Sequence, residues 1–503
     1  MAEEIELKLA LAAGQQARFL RHPLLKKAIE RRVETLDNIY YDTADLSLRR
    51  RGISLRLRRQ GRDWLQTVKL AGSSAAGLSS RPEWEIPYTG HFDFSAIEVA
   101  SVRKRLQKPR LLARIIPICE TRFRRISWRF PAASGAVLLV LDRGWVIAKG
   151  RREAISEVEL ELAGAPVHSI FVLATQLAQR VALTPSVLSK AERGYRLHAG
   201  ATPEPFKAEA VILWPAMPPW KAFRHIALSC LEHLQQNHSG ALGSDDPEYI
   251  HQMRVATRRL RAAMRLFSSS LPAGATQALY ASLSALMKHL GLARDLDVLL
   301  TGIVAPVLAT LPDEPRLSAL SSDITNRRYA VRAQAIDMLS SPDYGLTLLA
   351  TLESLHASPP DVPNVPTLRD FASGQLRRLR RKVKRLALAA QVDDPASLHA
   401  LRIGVKRLRY ALEFFAPLMA KQAARRILKQ LTLAQDTLGK LNDLTNAGAL
   451  LMDFAGTDSR LREAVTLIGG WHGPHYAKLL GAIARDLPGL TRLQLPGLDH
   501  DRK

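Results

Sequence analysis

Close to the start of the chain lies Glu4-Ile5-Glu6-Leu7-Lys8, a stretch in which charged and aliphatic residues alternate. Successive side chains of a β-strand point to opposite faces of the sheet. The three charged residues therefore share one face, and Ile5 and Leu7 share the other. The alternation predicts a strand with two carboxylates and an ammonium group on one side. Taken alone, the pattern is equally typical of a strand at an exposed edge.

The same alternation recurs over the first two hundred residues. This recurrence favours strands whose charged faces line a polar cavity over a single strand at an exposed edge. Residues 157–162 alternate three carboxylates with three aliphatic residues, and residues 83–86 alternate two carboxylates with Trp and Ile. On other predicted strands the polar face is basic instead. These basic positions are Arg56, Arg58, Lys69 and Arg125.

Strands with one aliphatic face and one charged face predict a closed antiparallel β-barrel with a charged lumen and helices outside. Like charges at alternate positions of a narrow lumen repel each other and require counter-charges. Divalent cations would balance the carboxylates, a polyanion would balance the Arg and Lys groups, and a metal-bound oligophosphate supplies both. Mg²⁺ is usually held by one or two carboxylates together with substrate phosphates.

Residues 1–200 resemble the CYTH superfamily, the triphosphate tunnel metalloenzymes, because their charged motifs follow the order of that family. The motifs are E-x-E-x-K at 4–8, R-x-R at Arg56 and Arg58, Lys69, Glu83 with Glu85, Arg125, Asp142 at the end of a predicted strand over 137–142, E-V-E at Glu157 and Glu159, and Lys190. The resemblance implies a triphosphate tunnel that works with Mg²⁺ or Mn²⁺.

The resemblance also implies a role for each residue. The implied metal ligands are Glu4, Glu6, Asp142, Glu157 and Glu159. The implied substrate-binding residues are Lys8, Arg56, Arg58, Lys69, Glu85, Arg125 and Lys190. Glu4, Glu6, Lys8 and Arg58 are the implied catalytic residues. One metal ion would neutralise the phosphates, and a second would lower the pKa of a bound water.

Several charged residues near these motifs are expected to have lesser roles. We expect Glu85 and Glu161 in a second layer or at the rim of the tunnel. Arg49, Arg51 and Arg59 fall on the opposite face of their predicted strand, so we expect them in solvent or under helices.

The bulk properties point to several domains and a polyanionic partner. The chain has 503 residues, which is too long for one ordinary core. A formal charge of +25 indicates nucleic acid, an acidic membrane or polyphosphate as the partner. Cys119 and Cys230 are the two cysteines, which excludes a disulfide framework and a Cys-based metal cluster.

The sequence shows neither a secretory leader nor an apolar run of about 20 residues, the length that a membrane span needs. The expected location is therefore the cytoplasm, where polyphosphate granules are a candidate association, and no membrane partner is expected. The oligomeric state stays open.

The second half of the chain follows a Pro-rich linker at 201–219 and has helical periodicity over 220–487, before a tail at 488–503. His251-x-x-Arg254-x-x-x-Arg258 recurs 148 residues later as His399-x-x-Arg402-x-x-x-Lys406. A second motif with Leu-Gly at its start recurs at the same offset, at 290–296 and 438–444. Two motifs at one offset predict a duplicated helical unit, with about four helices in each copy.

In each copy the basic residues fall at helical steps 0, 3, 7 and 10, so they form one stripe on a helix. The two stripes are His251, Arg254, Arg258 and Arg261, and His399, Arg402, Lys406 and Arg409. This half resembles the CHAD domain, which implies inorganic polyphosphate as its ligand. The overall fold class is therefore α+β, a barrel followed by two pseudo-repeated helical bundles.

The leading functional hypothesis is a metal-dependent inorganic triphosphatase whose helical half binds polyphosphate. A class IV adenylate cyclase and a nucleoside or thiamine triphosphatase would use the same triphosphate site, so they stay open. A non-catalytic polyphosphate-binding adaptor also stays open. The basic helices have few aromatic residues for base stacking, which argues against specific nucleic-acid binding.

Overall fold

The alternating segments form the strands of one antiparallel sheet in the computed structural model, which describes residues 3–272, 277–357, 366–495 and 497. The strands are β1 (Glu3–Leu11), β2 (Glu30–Thr43), β3 (Ile53–Gln60), β4 (Asp63–Leu70), β5 (Ser73–Ala75), β6 (Leu78–Pro87), β7 (Ile115–Pro131), β8 (Ala136–Ala148), β9 (Arg151–Ala163) and β10 (Leu183–Pro185).

The sheet closes on itself. Its strand order is β10-β1-β9-β8-β7-β2-β3-β4-β6-β5, and β1 also pairs with β6. This extra pairing joins β1–β4 and β6–β9 into a closed barrel of antiparallel strands, which confirms the predicted fold class of the first half.

The register of the barrel brings the charged positions side by side. Glu6 lies opposite Glu161 and Lys8 opposite Glu159 between β1 and β9. Asp142 lies opposite Glu157 between β8 and β9. Asp142 is therefore in the middle of β8, and the prediction of a strand end at this position was wrong because β8 continues to Ala148.

The helices of the first half are short and pack on the outside of the barrel, apart from the last one, which enters it. They are α1 (Gln16–Leu20), α2 (Ala100–Leu106), α3 (Pro109–Leu112), α4 (Val167–Ala178) and α5 (Lys190–Ala199). The outward aliphatic face is fully buried at Leu7, Leu139 and Leu160. This burial is the reason that the strands alternate so regularly.

One segment differs from its sequence pattern. Residues 14–34 have a helical pattern, but α1 ends at Leu20 and β2 begins at Glu30. Pro23 starts a separate 3₁₀ turn, and β2 pairs with β7 along its whole length. Pairing across the sheet therefore overrides the local helical preference.

Helix α5 closes part of the barrel from the inside. Its Gly194 packs so closely that an added Cβ would lie 2.2 Å from Cys119 Sγ. Leu197 packs on an apolar cluster that includes Leu36, Phe123 and Val146. One part of the lumen is therefore apolar and filled, and the charged part begins at Lys190, the first residue of α5.

The second half is helical throughout its described residues, as predicted. Its helices are α6 (Pro219–Gly243), α7 (Pro247–Leu266), α8 (Gln277–Val298), α9 (Ala305–Thr310), α10 (Pro315–Leu339), α11 (Pro342–His356), α12 (Leu368–Ala389), α13 (Pro395–Phe415), α14 (Lys421–Ala455) and α15 (Ser459–Thr491), with a π-helical segment at Leu299–Val304 between α8 and α9. No helix in the described part of the chain is long and apolar enough to cross a membrane.

Helices α7 and α13 begin in the same way, 148 residues apart. Asp246 caps α7 by accepting a hydrogen bond from Glu248 N at 2.8 Å, and Pro247 follows it. Asp394 caps α13 by accepting from the amide of Ala396 at 3.0 Å, and it is also followed by Pro. An Asp cap with Pro at the first helical position is a strong helix start. Both basic stripes therefore lie on helices that begin at corresponding positions.

The described residues form two compact units. The barrel unit contains the residues up to Phe206, with Gln235–Gly243 and Leu339–Ala357; the helical unit contains Lys207–Leu234, Ser244–Met338 and the residues after Ala357. Helix α11 thus belongs to the barrel unit. Helix α15 continues to Thr491, four residues into the predicted tail, and residues 496 and 498–503 of that tail lie outside the described residues.

Candidate functional site

The barrel encloses a cavity of about 430 Å³ whose lining is mainly charged. It brings together the six basic residues that the sequence assigns to phosphate binding: Lys8, Arg56, Arg58, Lys69, Arg125 and Lys190. Of the acidic candidates, Glu4, Glu6, Glu85 and Glu159 also line it. Asp142 and Glu157 are buried behind Lys190 and do not contribute to the lining.

Lys190 lies at the centre of one carboxylate cluster. Its Nζ is 2.7 Å from Asp142 Oδ2 and 3.1 Å from Glu159 Oε1, and it also contacts Glu157. Arg125 donates to both oxygens of Asp142, at 2.8 and 2.7 Å, and to Glu159 Oε2 at 3.0 Å. The oxygens of the three carboxylates lie within 4.8 Å of one another, which is a geometry that could also hold a metal ion.

The electrostatics of this cluster show that the protein supplies its own cations there. Burial opposes ionisation of Glu159, but Lys190 and Lys8 outweigh it and hold the Glu159 pKa well below its ordinary value. Burial also disfavours the charged form of Lys190, but Asp142 and Glu157 raise its pKa above the ordinary range. Glu159 and Lys190 are therefore both charged at neutral pH.

A second carboxylate cluster forms on the other side of the cavity. Lys69 Nζ donates to Glu4 Oε2 at 2.6 Å and lies 2.9 Å from Glu83 Oε2. Glu6 accepts a hydrogen bond from Arg81 Nη2 at 2.9 Å. Glu161 completes this cluster from β9, directly opposite Glu6.

This second cluster has more negative than positive groups. Burial, with repulsion from Glu4 and Glu6, raises the pKa of Glu161 to about 7. Burial also raises the pKa of Glu4, although Lys69 opposes the shift. The raised pKa values show that burial and neighbouring carboxylates outweigh the cations that the protein supplies there. Carboxylate oxygens suit Mg²⁺ or Mn²⁺, so Glu4, Glu6 and Glu161 are candidate metal ligands by their chemistry, whereas the three carboxylates with oxygens within 4.8 Å of one another are those of Asp142, Glu157 and Glu159.

The basic side of the cavity has guanidinium groups with weak partners. Arg58 Nε donates to the neutral amide oxygen of Asn38 at 2.9 Å. Burial, with repulsion from Arg56 and Arg125, lowers the pKa of Arg58 to about 10, so it stays protonated at pH 7. Arg56 Nε is buried without a hydrogen-bond partner in the described part of the chain. These donors are available to the oxygens of a bound anion.

Two basic residues of the cavity, Arg49 and Arg81, are absent from the set predicted from the sequence. Arg49 was expected outside the barrel, which was wrong because residues 49–51 form a 3₁₀ turn and strand alternation does not apply to them. The buried carboxylate of Asp42 holds this turn by accepting from Arg49 N at 2.9 Å. Arg49 Nε then donates to Glu192 at 3.2 Å.

Glu161 was expected in a second layer or at the rim of the tunnel, and it lines the cavity. The sequence shows it as the third acidic residue of residues 157–161, but alternation alone does not tell which of the three lies opposite a β1 carboxylate. Arg51 and Arg59 do not line the cavity, in agreement with the expectation.

In the helical unit, α7 and α13 bring the two basic stripes together. The Arg258 guanidinium lies 5.7 Å from the centre of the Tyr410 ring on the other helix. Burial lowers the pKa of Lys406 to about 8, and repulsion from Arg258, Arg402 and Arg254 contributes to the shift. Four cations from both copies therefore share one site, which favours binding of an anion between them.

The outer members of the stripes have individual partners. Arg254 Nη1 donates to Asp295 Oδ1 at 2.8 Å. His399 Nδ1 lies 2.7 Å from Asn442 Oδ1, and His251 Nδ1 is buried without a hydrogen-bond partner in the described residues. The last members of the stripes differ, since Arg261 contacts Tyr280 whereas Arg409 contacts Glu413 and Gln435.

Comparisons with known proteins match the two halves of the chain to two different domain families. The model of the CYTH domain matches residues 2–195, and the model of the CHAD domain matches residues 225–452. An inorganic triphosphatase from Haemophilus influenzae is 29% identical over 197 residues, which cover 39% of this chain and 55% of that protein. The chain thus spans about half the length of this curated relative.

A solved structure resembles the second half. The crystal structure of the CHAD domain from the plant Ricinus communis is 33% identical, with a TM-score of 0.51. The match covers 59% of this chain and 99% of the plant domain.

Proposed function

We propose that this chain, which belongs to the CYTH family over residues 2–195 and to the CHAD family over residues 225–452, is a metal-dependent inorganic triphosphatase that also binds inorganic polyphosphate. The observation that carries the proposal is the charge distribution of the cavity. Cationic donors and an underbalanced carboxylate cluster face the same space of about 430 Å³. A metal-bound triphosphate satisfies both sides.

The basic residues would bind the phosphate oxygens. Arg58 Nε donates to a neutral amide, and Arg56 has an unpaired Nε among the described residues while its Nη2 lies 3.6 Å from the carboxylates of Glu83 and Glu85. Arg125 is held by Asp142 at the same cavity. Arg groups of this kind bind phosphate oxygens in a bidentate manner, and Lys8 adds a compact charge. Fixed cations stabilise the charge that develops on the phosphoryl oxygens during transfer.

The carboxylates divide into two roles. Glu4, Glu6 and Glu161 would hold Mg²⁺ or Mn²⁺, with Glu159 as their neighbour on β9. Bound there, the metal ion would neutralise phosphate charge and lower the pKa of a water ligand. Asp142 and Glu157, which the sequence analysis assigned to the metal, would instead hold Lys190 in position.

The direct test is phosphate release from inorganic triphosphate, ATP and thiamine triphosphate, each with Mg²⁺, Mn²⁺ or EDTA. We expect preference for inorganic triphosphate and loss of activity in EDTA. Glu4→Gln and Arg58→Ala should abolish turnover. Arg59→Ala is the matched control, because Arg59 is exposed and does not line the cavity.

Full turnover in both cavity variants would reject the tunnel as the active site. Formation of cyclic AMP from ATP would support a cyclase instead. Polyphosphate binding without release of phosphate from any of the three substrates would support a binding adaptor.

The proposed polyphosphate site lies between α7 and α13. We expect the full-length protein to bind long-chain polyphosphate, and the variants Arg258→Ala and Lys406→Ala to weaken this binding. Fluorescence anisotropy with labelled polyphosphate, at several salt concentrations, measures the effect. Equal affinity for duplex DNA would contradict a specific site, since any basic surface attracts a polyanion.

A further inference from the structure

The two basic stripes correspond residue by residue up to Arg261 and Arg409, and the chain then breaks the correspondence. Glu413 lies 148 residues after Arg265, so the same position carries a carboxylate in the second copy and a guanidinium in the first. Both positions lie one helical turn beyond the last stripe residue. The ends of the two stripes therefore differ by two units of charge.

In the second copy, the protein neutralises its own arginine. Arg409 Nε donates to Gln435 Oε1 at 2.8 Å, and Arg409 Nη1 pairs with Glu413. Glu413 also lies 3.3 Å from Arg259 Nη1. One carboxylate shared by two guanidinium groups halves the positive charge at this end and occupies the donors of Arg409, so the attraction for a further anion is weaker than in the first copy.

In the first copy, two arginines share one neutral oxygen. Arg261 Nη2 donates to Tyr280 Oη at 2.8 Å, and Arg265 Nη2 donates to the same hydroxyl. The two guanidinium carbons lie 4.6 and 5.1 Å from the centre of the Tyr280 ring. Like charges four residues apart on a helix repel each other, and a phenol does not cancel two positive charges.

Several arginines of the first copy also have buried N–H donors without a hydrogen-bond partner in the part of the chain that the structure describes. Arg254, Arg258 and Arg261, all on α7, each have a buried Nε without a hydrogen-bond partner among the described residues. A buried guanidinium N–H without a partner is costly, and an anion that accepts from it removes the cost. The Nε of Arg409, by contrast, has its partner in Gln435.

We propose that Arg261, the last residue of the first stripe, forms with Arg265 and Tyr280 an additional anion subsite, which binds a further phosphoryl group of polyphosphate at this end of the stripe. The subsite extends the first stripe by one helical turn, about 6 Å. Tyr280 orients the two guanidinium groups, and Glu413 removes Arg409 from contact with the ligand. The proposal rests on the polyphosphate-binding function proposed above and adds that the two copies contribute unequally.

The test compares corresponding residues of the two copies in the full-length protein. Labelled long-chain polyphosphate is titrated by fluorescence anisotropy against Arg265→Ala, Arg261→Ala and Arg409→Ala. We expect the first two variants to weaken affinity by about fivefold or more, as for loss of a charge-assisted hydrogen bond, and to lower the salt dependence. Arg409→Ala should stay within about twofold of the wild type, because its charge is already compensated.

Three further variants separate loss of the subsite from a folding defect. Arg265→Lys keeps the charge and should restore most of the affinity. Glu413→Gln frees Arg409 and Arg259, so it should strengthen binding, and a destabilised protein does not produce that result. Tyr280→Phe keeps the ring, removes the shared acceptor and should weaken binding less than Arg265→Ala.

Equal losses in Arg261→Ala and Arg409→Ala, or unchanged affinity in Arg265→Ala and Glu413→Gln, would overturn the subsite while leaving polyphosphate binding intact. A wild-type protein that binds no polyphosphate would instead reject the function on which the subsite rests. The two failures are thus distinguished by the wild-type titration.

Discussion

Replacement of Lys190 by Met is expected to destabilise the barrel and to create a new cation site inside it. The Lys190 side chain is 9% exposed, and its Nζ lies 2.7 Å from Asp142 Oδ2. Its other contacts are Glu157 and Glu159. Met keeps an unbranched chain of similar length but removes the charge, so three carboxylates are left with Arg125 as their main counter-charge.

Removal of one partner from a buried ion pair costs about 3–5 kcal/mol, because the remaining charge is left uncompensated. Arg125 continues to bind Asp142 and Glu159, which places the expected cost near the lower end. For a unit of this size the loss corresponds to a decrease in melting temperature of roughly 6–20 °C.

A divalent cation should recover a large part of this loss in the variant. The carboxylate oxygens of Asp142, Glu157 and Glu159 lie within 4.8 Å of one another, a spacing that one ion can bridge. An ion present at a hundred times its dissociation constant would add about 2.7 kcal/mol. In the wild type the Lys190 ammonium group occupies this position, so the additional protection should be absent there.

Differential scanning calorimetry in EDTA and in Mn²⁺ measures both effects. The quantity to compare is the increase in melting temperature on adding Mn²⁺, because the metal site proposed at Glu4, Glu6 and Glu161 would also respond to Mn²⁺ in the wild type. Lys26→Met is the control, since Lys26 is exposed. A Lys190→Met protein that melts like the wild type would refute the coupling of this ion cluster to stability. An equal Mn²⁺ response in both proteins would refute the metal competence of the three carboxylates.

Three other predictions concern the same barrel unit. Burial raises the pKa of Glu161 from 4.5 to about 7, so its ionisation destabilises the folded state as the pH rises through this range. Glu161→Gln in metal-free buffer should therefore melt higher than the wild type at pH 8 and similarly at pH 4; the same difference at both pH values would contradict the shift. Gly194→Ala places a Cβ 2.2 Å from Cys119 Sγ and should cost about 1–3 kcal/mol in urea unfolding, partly restored by Cys119→Ala. An unaffected Gly194→Ala would show that α5 is not packed in this way. Asp42→Asn weakens the acceptor of the Leu48 and Arg49 amides and should accelerate hydrogen exchange over residues 44–52; unchanged exchange there would exclude Asp42 as the anchor of the turn.

Much of the fold followed from local pattern. Alternation over two residues indicated the strands and their charged faces, and the 148-residue offset indicated the duplicated helices. Both signals are repeats in the sequence, and in each repeat the apolar residues are buried on the same face of the strand or helix. This is the reason that the barrel and the helical half were predicted together with the order of their charged motifs.

The pairing of charges was decided by the tertiary structure. Alternation tells which face a residue occupies but not which residue of another strand lies beside it. The register of β1 with β9 places Glu161 opposite Glu6. Helix α5 enters the barrel, and its Lys190 forms ion pairs with Asp142 and Glu157. Arg49 entered the cavity because a turn, which has no two-residue period, carries it there.

The sequence by itself therefore determined the kinds of charge in the barrel, the faces that carry them and the duplication of the basic helices. Only the tertiary structure decided which charges compensate each other, because Coulomb energy depends on distance between atoms and the decisive neighbours are far apart along the chain. The carboxylates at Glu4, Glu6 and Glu161 differ from those at Asp142 and Glu157 for this reason. The carboxylates of Glu4, Glu6 and Glu161 belong to a cluster with more negative than positive groups, whereas Asp142 and Glu157 surround the Lys190 ammonium group.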